Sequence, residues 1–267
     1  PDSPATTGNN AIRDTGKTWT QESLPGWFRR HGYRTLALGK ISHYPGGRTG
    51  KEWAEGPEEL PGAWERAWIP DAPWRTPLAM MHGYANGGAR VPGKTPAWEC
   101  FDGPDEAYPD AHVAAEAART LTALKASGQP WFFAVGFFKP HLPFAAPKRW
   151  YDQHDPAKIP APVVSAKPDV GWHGSGEFRG NYGHGGLDPA RDDAYARQIR
   201  HAYAASASYV DAQVGRVLRA LADQGLAERT VVVVWSDHGF LLGDHAIWGK
   251  HCLYEHALRS PDRKSVV

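Results

Sequence analysis

The chain has 267 residues, 41% hydrophobic and 22% charged, with a formal net charge of +1 and a mean hydropathy of −0.53. This is the composition of a globular protein with a sizeable core. The near-neutral balance gives no reason to expect nucleic acid or an anionic membrane as partner, and no apolar run approaches the ~20 residues needed to span a bilayer. Two cysteines, Cys100 and Cys252, exclude a disulfide-rich scaffold and read as free thiols, with a single disulfide as the alternative.

In chain order, a short helix is expected over 20–30, with Thr20 or Ser23 as cap, Pro25 in its first turn and Gly32 just past its end. A strand over 33–38 follows and runs into Gly39-Lys40-Ile41-Ser42-His43. Residues 44–108 are dense in Gly, Pro and Trp and read as loop, and the tryptophans of 53–98 read as packing and loop anchors, with a sugar-stacking platform as the alternative. A helix over 111–126 comes next, with Asp110 as its cap and Val113, Ala117, Leu121 and Leu124 on its apolar face. The strand over 131–137 then ends in Lys139-Pro140-His141.

Residues 145–192 again read as loop. The longest helix spans 193–224 and stops at Gly225; Tyr203, Ser206, Tyr209, Val210, Val214, Val217, Leu218 and Leu221 mark its buried side. Four valines and Trp235, over 231–235, read as a fully buried strand, because β-branched residues favour extended backbone and no polar face is present. Asp237, His238 and Gly239 follow at its end. Three helix-to-strand units, each ending in a polar cluster, predict an α/β fold: a mostly parallel sheet with helices on both faces.

In an open α/β sheet the C-terminal strand edge is where ligands bind. There the sequence places Lys40 and His43, Lys139 and His141, and Asp237 and His238, with Lys250 shortly downstream. Singly, each has a bland reading: a solvated loop lysine, a proline-flanked turn histidine, a chance Asp-His-Gly. Together they describe a cationic pocket for a tetrahedral oxyanion beside a divalent cation. His245 is a pocket-lining candidate, whereas His251 and His256 lack zinc-site spacing and read as structural.

Gly39-Lys40-Ile41-Ser42-His43-Tyr44-Pro45-Gly46, the run Val135 through Phe144, Tyr203 through Gly215, Ser236-Asp237-His238-Gly239 and Leu242 through Lys250 occur in one order. In that order the chain resembles the sulfatase family of the alkaline-phosphatase-like superfamily, nearest to iduronate-2-sulfatase-like members. The resemblance implies a sulfuric ester hydrolase with a calcium ion and a formylglycine nucleophile made from cysteine. It gives Asp237 and His238 to the calcium, and Lys40, His43, His141 and Lys250 to catalysis. Lys139, His245 and Trp248 are assigned to substrate binding. His43-Tyr44-Pro45 carries one residue more than the familiar His-Pro-Gly.

Neither Cys100 nor Cys252 stands in the family's Cys-x-Pro/Ala-x-Arg motif. Residues 1–261 are therefore expected to be the central part of a catalytic domain, incomplete at both ends and inactive by itself. Residues 262–267 are read as a non-native tail, because one back-translation matches a common sequencing adapter. The implied partner is a sulfated carbohydrate or small sulfate ester, in a periplasmic or secreted setting. Nothing in the sequence sets the oligomeric state. A phosphodiesterase or phosphonate monoester hydrolase of the same superfamily, and a non-catalytic sulfoglycan-binding relative, are the alternatives.

Overall fold

The computed structural model describes residues 23–41, 60–162, 166, 176–259 and 262–265. The first helix, α1 (Leu24–Arg30), is capped by Ser23, whose hydroxyl accepts from the Gly26 N–H at 3.2 Å; Thr20 lies outside the described residues. It leads into β1 (Arg34–Gly39), the middle strand of a parallel sheet ordered β2–β1–β4, with β2 at Arg66–Trp68 and β4 at Trp131–Gly136. Leu36, Ala37 and Leu38 are buried, as a parallel strand covered on both faces requires. Each leucine contributes about 2 kcal/mol of transfer free energy.

The stretch read as loop over 44–108 holds more order than its composition suggests. Besides β2 it contains α2 (Pro77–Met81) and β3 (Trp98–Phe101), which pairs in parallel with β5 (Phe144–Pro147). Trp64, Trp68 and Trp74 are buried, so these tryptophans pack the core. The stretch over 145–192 likewise contains α4 (Lys148–Tyr151) and α5 (Glu177–Asn181). Such short elements leave too few residues to show a period in sequence.

Between them, α3 (Pro109–Ser127) precedes β4 and ends at Gly128 in the left-handed conformation (φ 65°). Asp110 does not cap α3, as the sequence suggested; it sits in the first turn and is fully buried. Its carboxylate accepts the Phe138 and Lys139 N–H groups at 2.8 and 2.9 Å, joining the helix start to the chain leaving β4. A carboxylate near a helix N-terminus is also favoured by the helix dipole.

The long helix α6 (Asp193–Asp223) starts at Asp192, whose carboxylate accepts from Tyr195 N–H at 2.8 Å. Tyr195, Ile199, Ser206, Tyr209 and Leu221 are buried along it. Leu218, expected on that side, is exposed, whereas Gln213 is buried and donates to Asp105 at 2.7 Å. The Tyr209 hydroxyl accepts the Ala111 N–H at 2.9 Å, which ties α6 to the first turn of α3.

The valine strand departs from expectation. It forms β6 (Val232–Trp235), but among the described residues it pairs only with β9 (Asp262–Ser265), in antiparallel register, and not with the β2–β1–β4 sheet. Val231, Val233, Val234 and Trp235 are exposed. β-Branched side chains dictate extended backbone, but burial needs a neighbour on each face, and no described element covers these. After β6 come the short hairpin β7 (Leu241–Leu242) and β8 (Trp248–Gly249), and then α7 (Glu255–Leu258). Cys100 is exposed, Cys252 buried, and both are free thiols. No helix of the described residues is long and apolar enough to cross a membrane.

Asp110→Ala removes a charged acceptor from two buried N–H groups. It is expected to lower the unfolding free energy in urea by roughly 3 kcal/mol, with Asp110→Asn losing less.

Candidate active site

The site gathers beyond the C-terminal ends of β1, β4 and β6. Gly39 has φ 79°, and a Cβ added there would lie 2.1 Å from the Gly136 carbonyl oxygen. A Cβ on Gly136 would lie 1.7 Å from the Lys40 carbonyl oxygen. Only glycine at both strand ends lets the two backbones approach this closely. The approach places Lys40, whose N–H donates to the Gly136 carbonyl at 2.9 Å.

Lys40 Nζ donates to Asp237 Oδ2 at 3.1 Å. The C-terminal ends of β1 and β6 thus meet through side chains although the strands do not pair. Burial pulls the Asp237 pKa upward, but Lys40, His238 and Lys250 hold it below the ordinary carboxylate value. His238 Nδ1 lies 2.9 Å from the Gly239 carbonyl and donates to it, leaving Nε2, 3.7 Å from Asp237 Oδ2, with a lone pair. Burial, and then Lys250, lower the His238 pKa, so its neutral, ligating form prevails.

His141 Nδ1 similarly donates to the Leu142 carbonyl at 2.8 Å. Its Nε2 faces Glu177 Oε1 at 3.8 Å, and Lys250 Nζ faces Glu177 Oε2 at 3.6 Å. Burial holds the His141 pKa well below the usual imidazole value, and Lys250 and His82 add to this. Burial also lowers the Lys250 pKa, against the opposing pull of Glu177.

His82, at the end of α2, stacks edge-on against His141 with ring centroids 5.4 Å apart. Its Nδ1 is 3.1 Å from the Tyr182 hydroxyl and 3.4 Å from Arg90 Nη1. Burial drives the His82 pKa down to about 3, helped by Arg90 and Lys139. His82, Arg90 and Glu177 were not singled out in the sequence. They lie in the two stretches read as loop, and no spacing links them to His141.

The remaining candidates divide. Lys139 is buried, and its ammonium donates to the Pro143 carbonyl at 2.6 Å and reaches that of His141 at 3.5 Å. Burial lowers its pKa to about 8. Its bonds therefore shape the loop that carries His141. Trp248 is buried in the core, stacked on Phe178 at 5.7 Å. His245 has φ 56° and stacks on Tyr254 at 4.2 Å. His43 lies outside the described residues.

Asp237 and His238 offer one carboxylate and one imidazole lone pair, 3.7 Å apart. A Cβ on Gly239 would fall 1.9 Å from the His256 carbonyl oxygen, so glycine is needed where α7 closes on this turn. The pair suits a divalent cation as part of a shell, but calcium takes six to eight oxygen ligands. Among the described residues these two supply only a fraction of that shell.

The ends of β1, β4 and β6, the end of α2 and the turn after β8 thus bring two lysines, the His82–His141 pair and the Asp237–His238 pair into one neighbourhood, a set of side chains that suits an anion. Comparison with known proteins narrows the class. A family model described as Sulfatase matches residues 2–261, and the chain belongs to the sulfatase family. It is 32% identical over 254 residues to iduronate 2-sulfatase of Mus musculus, covering 90% of this chain and 44% of that protein. To a sulfatase of Formosa agariphila it is 29% identical over 283 residues, covering 97% and 51%. The solved phosphonate monoester hydrolase of Agrobacterium radiobacter has the same fold, with a TM-score of 0.60 at 22% identity over 90% of this chain and 52% of that one. The chain spans about half the length of the curated relatives it matches.

Lys40→Ala removes the cation that holds Asp237 ionised against burial. The Asp237 pKa is expected to rise in a carboxyl-carbon NMR titration; an unchanged value would show that Lys40 does not set it.

Proposed function

We propose that these residues form part of the catalytic domain of a sulfatase that hydrolyses the sulfate ester of a sulfated carbohydrate or a small alcohol. The observation that carries this reading is that Lys40 with Asp237, and His141 and Lys250 about Glu177, come from three strand ends and the turn after β8 close enough for Lys40 and Lys250 to shift the pKa of His141 and Asp237. The family resemblance gives Asp237 to the metal, His141 and Lys250 to the sulfate and its bridging oxygen, and Lys40 to orienting the nucleophile. The family also points to a periplasmic or secreted setting.

The chain's own residues divide the work by charge. Lys40 and Lys250 are cations that attract the sulfuryl oxygens and neutralise charge developing there. His141 is uncharged at neutral pH, with Nδ1–H committed to Leu142, so Nε2 can accept a proton but carries none to give. Lys250 holds a proton and has a pKa brought down from 10.5 by burial, which makes it the better donor to the departing alkoxide oxygen. Asp237 and His238 would hold calcium, with further oxygen ligands from outside the described residues. When present, calcium supplies charge neutralisation and formylglycine the nucleophile.

Neither cysteine of the 267 residues lies in the formylglycine motif, so this chain by itself is expected to leave 4-nitrophenyl sulfate intact. A longer protein that includes these residues and a formylglycine segment is expected to turn it over in a calcium-dependent manner. In that protein Lys250→Ala, which removes the proton donor, should lower kcat/KM by about 10²–10⁴-fold. Faster turnover of a phosphonate monoester than of the sulfate ester would assign the pocket to phosphonate chemistry instead.

A further inference from the structure

Glu177 is the second carboxylate of the site: Asp237 pairs with Lys40, and Glu177 stands beside Lys250. Its two oxygens face His141 Nε2 at 3.8 Å and Lys250 Nζ at 3.6 Å, and its side chain is 21% exposed. Both distances exceed an ordinary hydrogen bond. The Lys250 contact is therefore electrostatic and leaves its ammonium open to a ligand, while His141 meets Glu177 with an Nε2 lone pair because its proton sits on Nδ1. His82, His141 and Glu177 can each bring one ligand atom within 4.8 Å of the others, which is the geometry of a loose metal trio. However, Lys250 stands at the Glu177 end and Arg90 stands 3.4 Å from His82. Cations at both ends of the trio oppose a metal ion and favour an anion.

We propose that Glu177 is a specificity-determining residue, a resident counter-anion that weakens binding of doubly charged inorganic sulfate more than binding of a singly charged sulfate ester. This rests on the sulfatase reading and extends it. The repulsion between a fixed carboxylate and a ligand grows with the ligand's charge. At neutral pH a sulfate monoester carries one negative charge and free sulfate carries two. Without Glu177, Lys40 would still be matched by Asp237 but Lys250 would face the ligand unmatched, and the pocket would hold the doubly charged product more tightly than the substrate. Glu177, placed between His141 and Lys250, offsets that preference and hastens product release.

The test is calorimetric titration of the 267-residue chain and its variants with sodium sulfate and with methyl sulfate, at one fixed ionic strength. Glu177→Gln keeps size and polarity and removes the charge. It is expected to tighten sulfate binding about tenfold and methyl sulfate binding about threefold, because the logarithm of the change scales with ligand charge. Glu177→Asp keeps the charge and is expected to keep the wild-type ratio of the two affinities. Lys250→Gln is expected to weaken both ligands. Equal tightening of both anions by Glu177→Gln, or none, with Lys250→Gln still weakening them, would overturn the assignment of Glu177 alone. If neither anion binds wild-type chain or Glu177→Gln, the sulfate-pocket reading fails with it.

Discussion

The buried Asp110 carboxylate is the contact on which the site's geometry depends most. It takes two backbone N–H groups from the chain leaving β4, and so fixes the direction in which Lys139 and His141 emerge. The same first turn of α3 is held from the other side by Tyr209 of α6. Sheet, helix and long helix are thereby locked at one point, next to the pocket. Lys139 extends the arrangement, since its buried ammonium bonds the carbonyls of the loop that it begins. A buried carboxylate and a buried ammonium close together are costly unless both are hydrogen-bonded, and here both are.

Charge balance explains the pocket's chemistry. Lys40 is matched by Asp237, and Lys250 by Glu177. His82 and His141 are kept neutral by burial and by the neighbouring cations. The pocket can therefore receive an anion without leaving a buried charge unpaired when it is empty. Each lysine has a carboxylate that a ligand oxygen must displace or share. On the proposed sulfatase reading, such an arrangement favours exchange over tight retention.

Much of this was legible in the sequence, for physical reasons that can be named. Long elements with a clear period, such as α3 and α6, show their faces, and Gly128 and Gly225 mark their ends. The strand ends were legible because Gly39-Lys40 and Lys139-Pro140-His141 break apolar runs abruptly. Burial of the valine strand was not, because composition sets backbone preference while burial depends on what packs alongside. Asp110 looked like a cap because caps and first-turn acids share residue types. Glu177, His82 and Arg90 reach the pocket from short elements whose sequences carry no period, so only the folded chain brings them to His141. Trp248 and Lys139 had the right neighbours in sequence, but they spend their contacts on the core and on the loop.

The central claim is that the strand ends of β1, β4 and β6 build one anion pocket. A crystal structure of the chain grown with sodium sulfate tests it directly. The account predicts a sulfate ion in contact with Lys250 Nζ and Lys40 Nζ, within reach of His141 Nε2, with Lys40 still beside Asp237. A well-ordered structure in high sulfate with Lys40, His141 and Lys250 pointing apart, and sulfate only elsewhere, would contradict it.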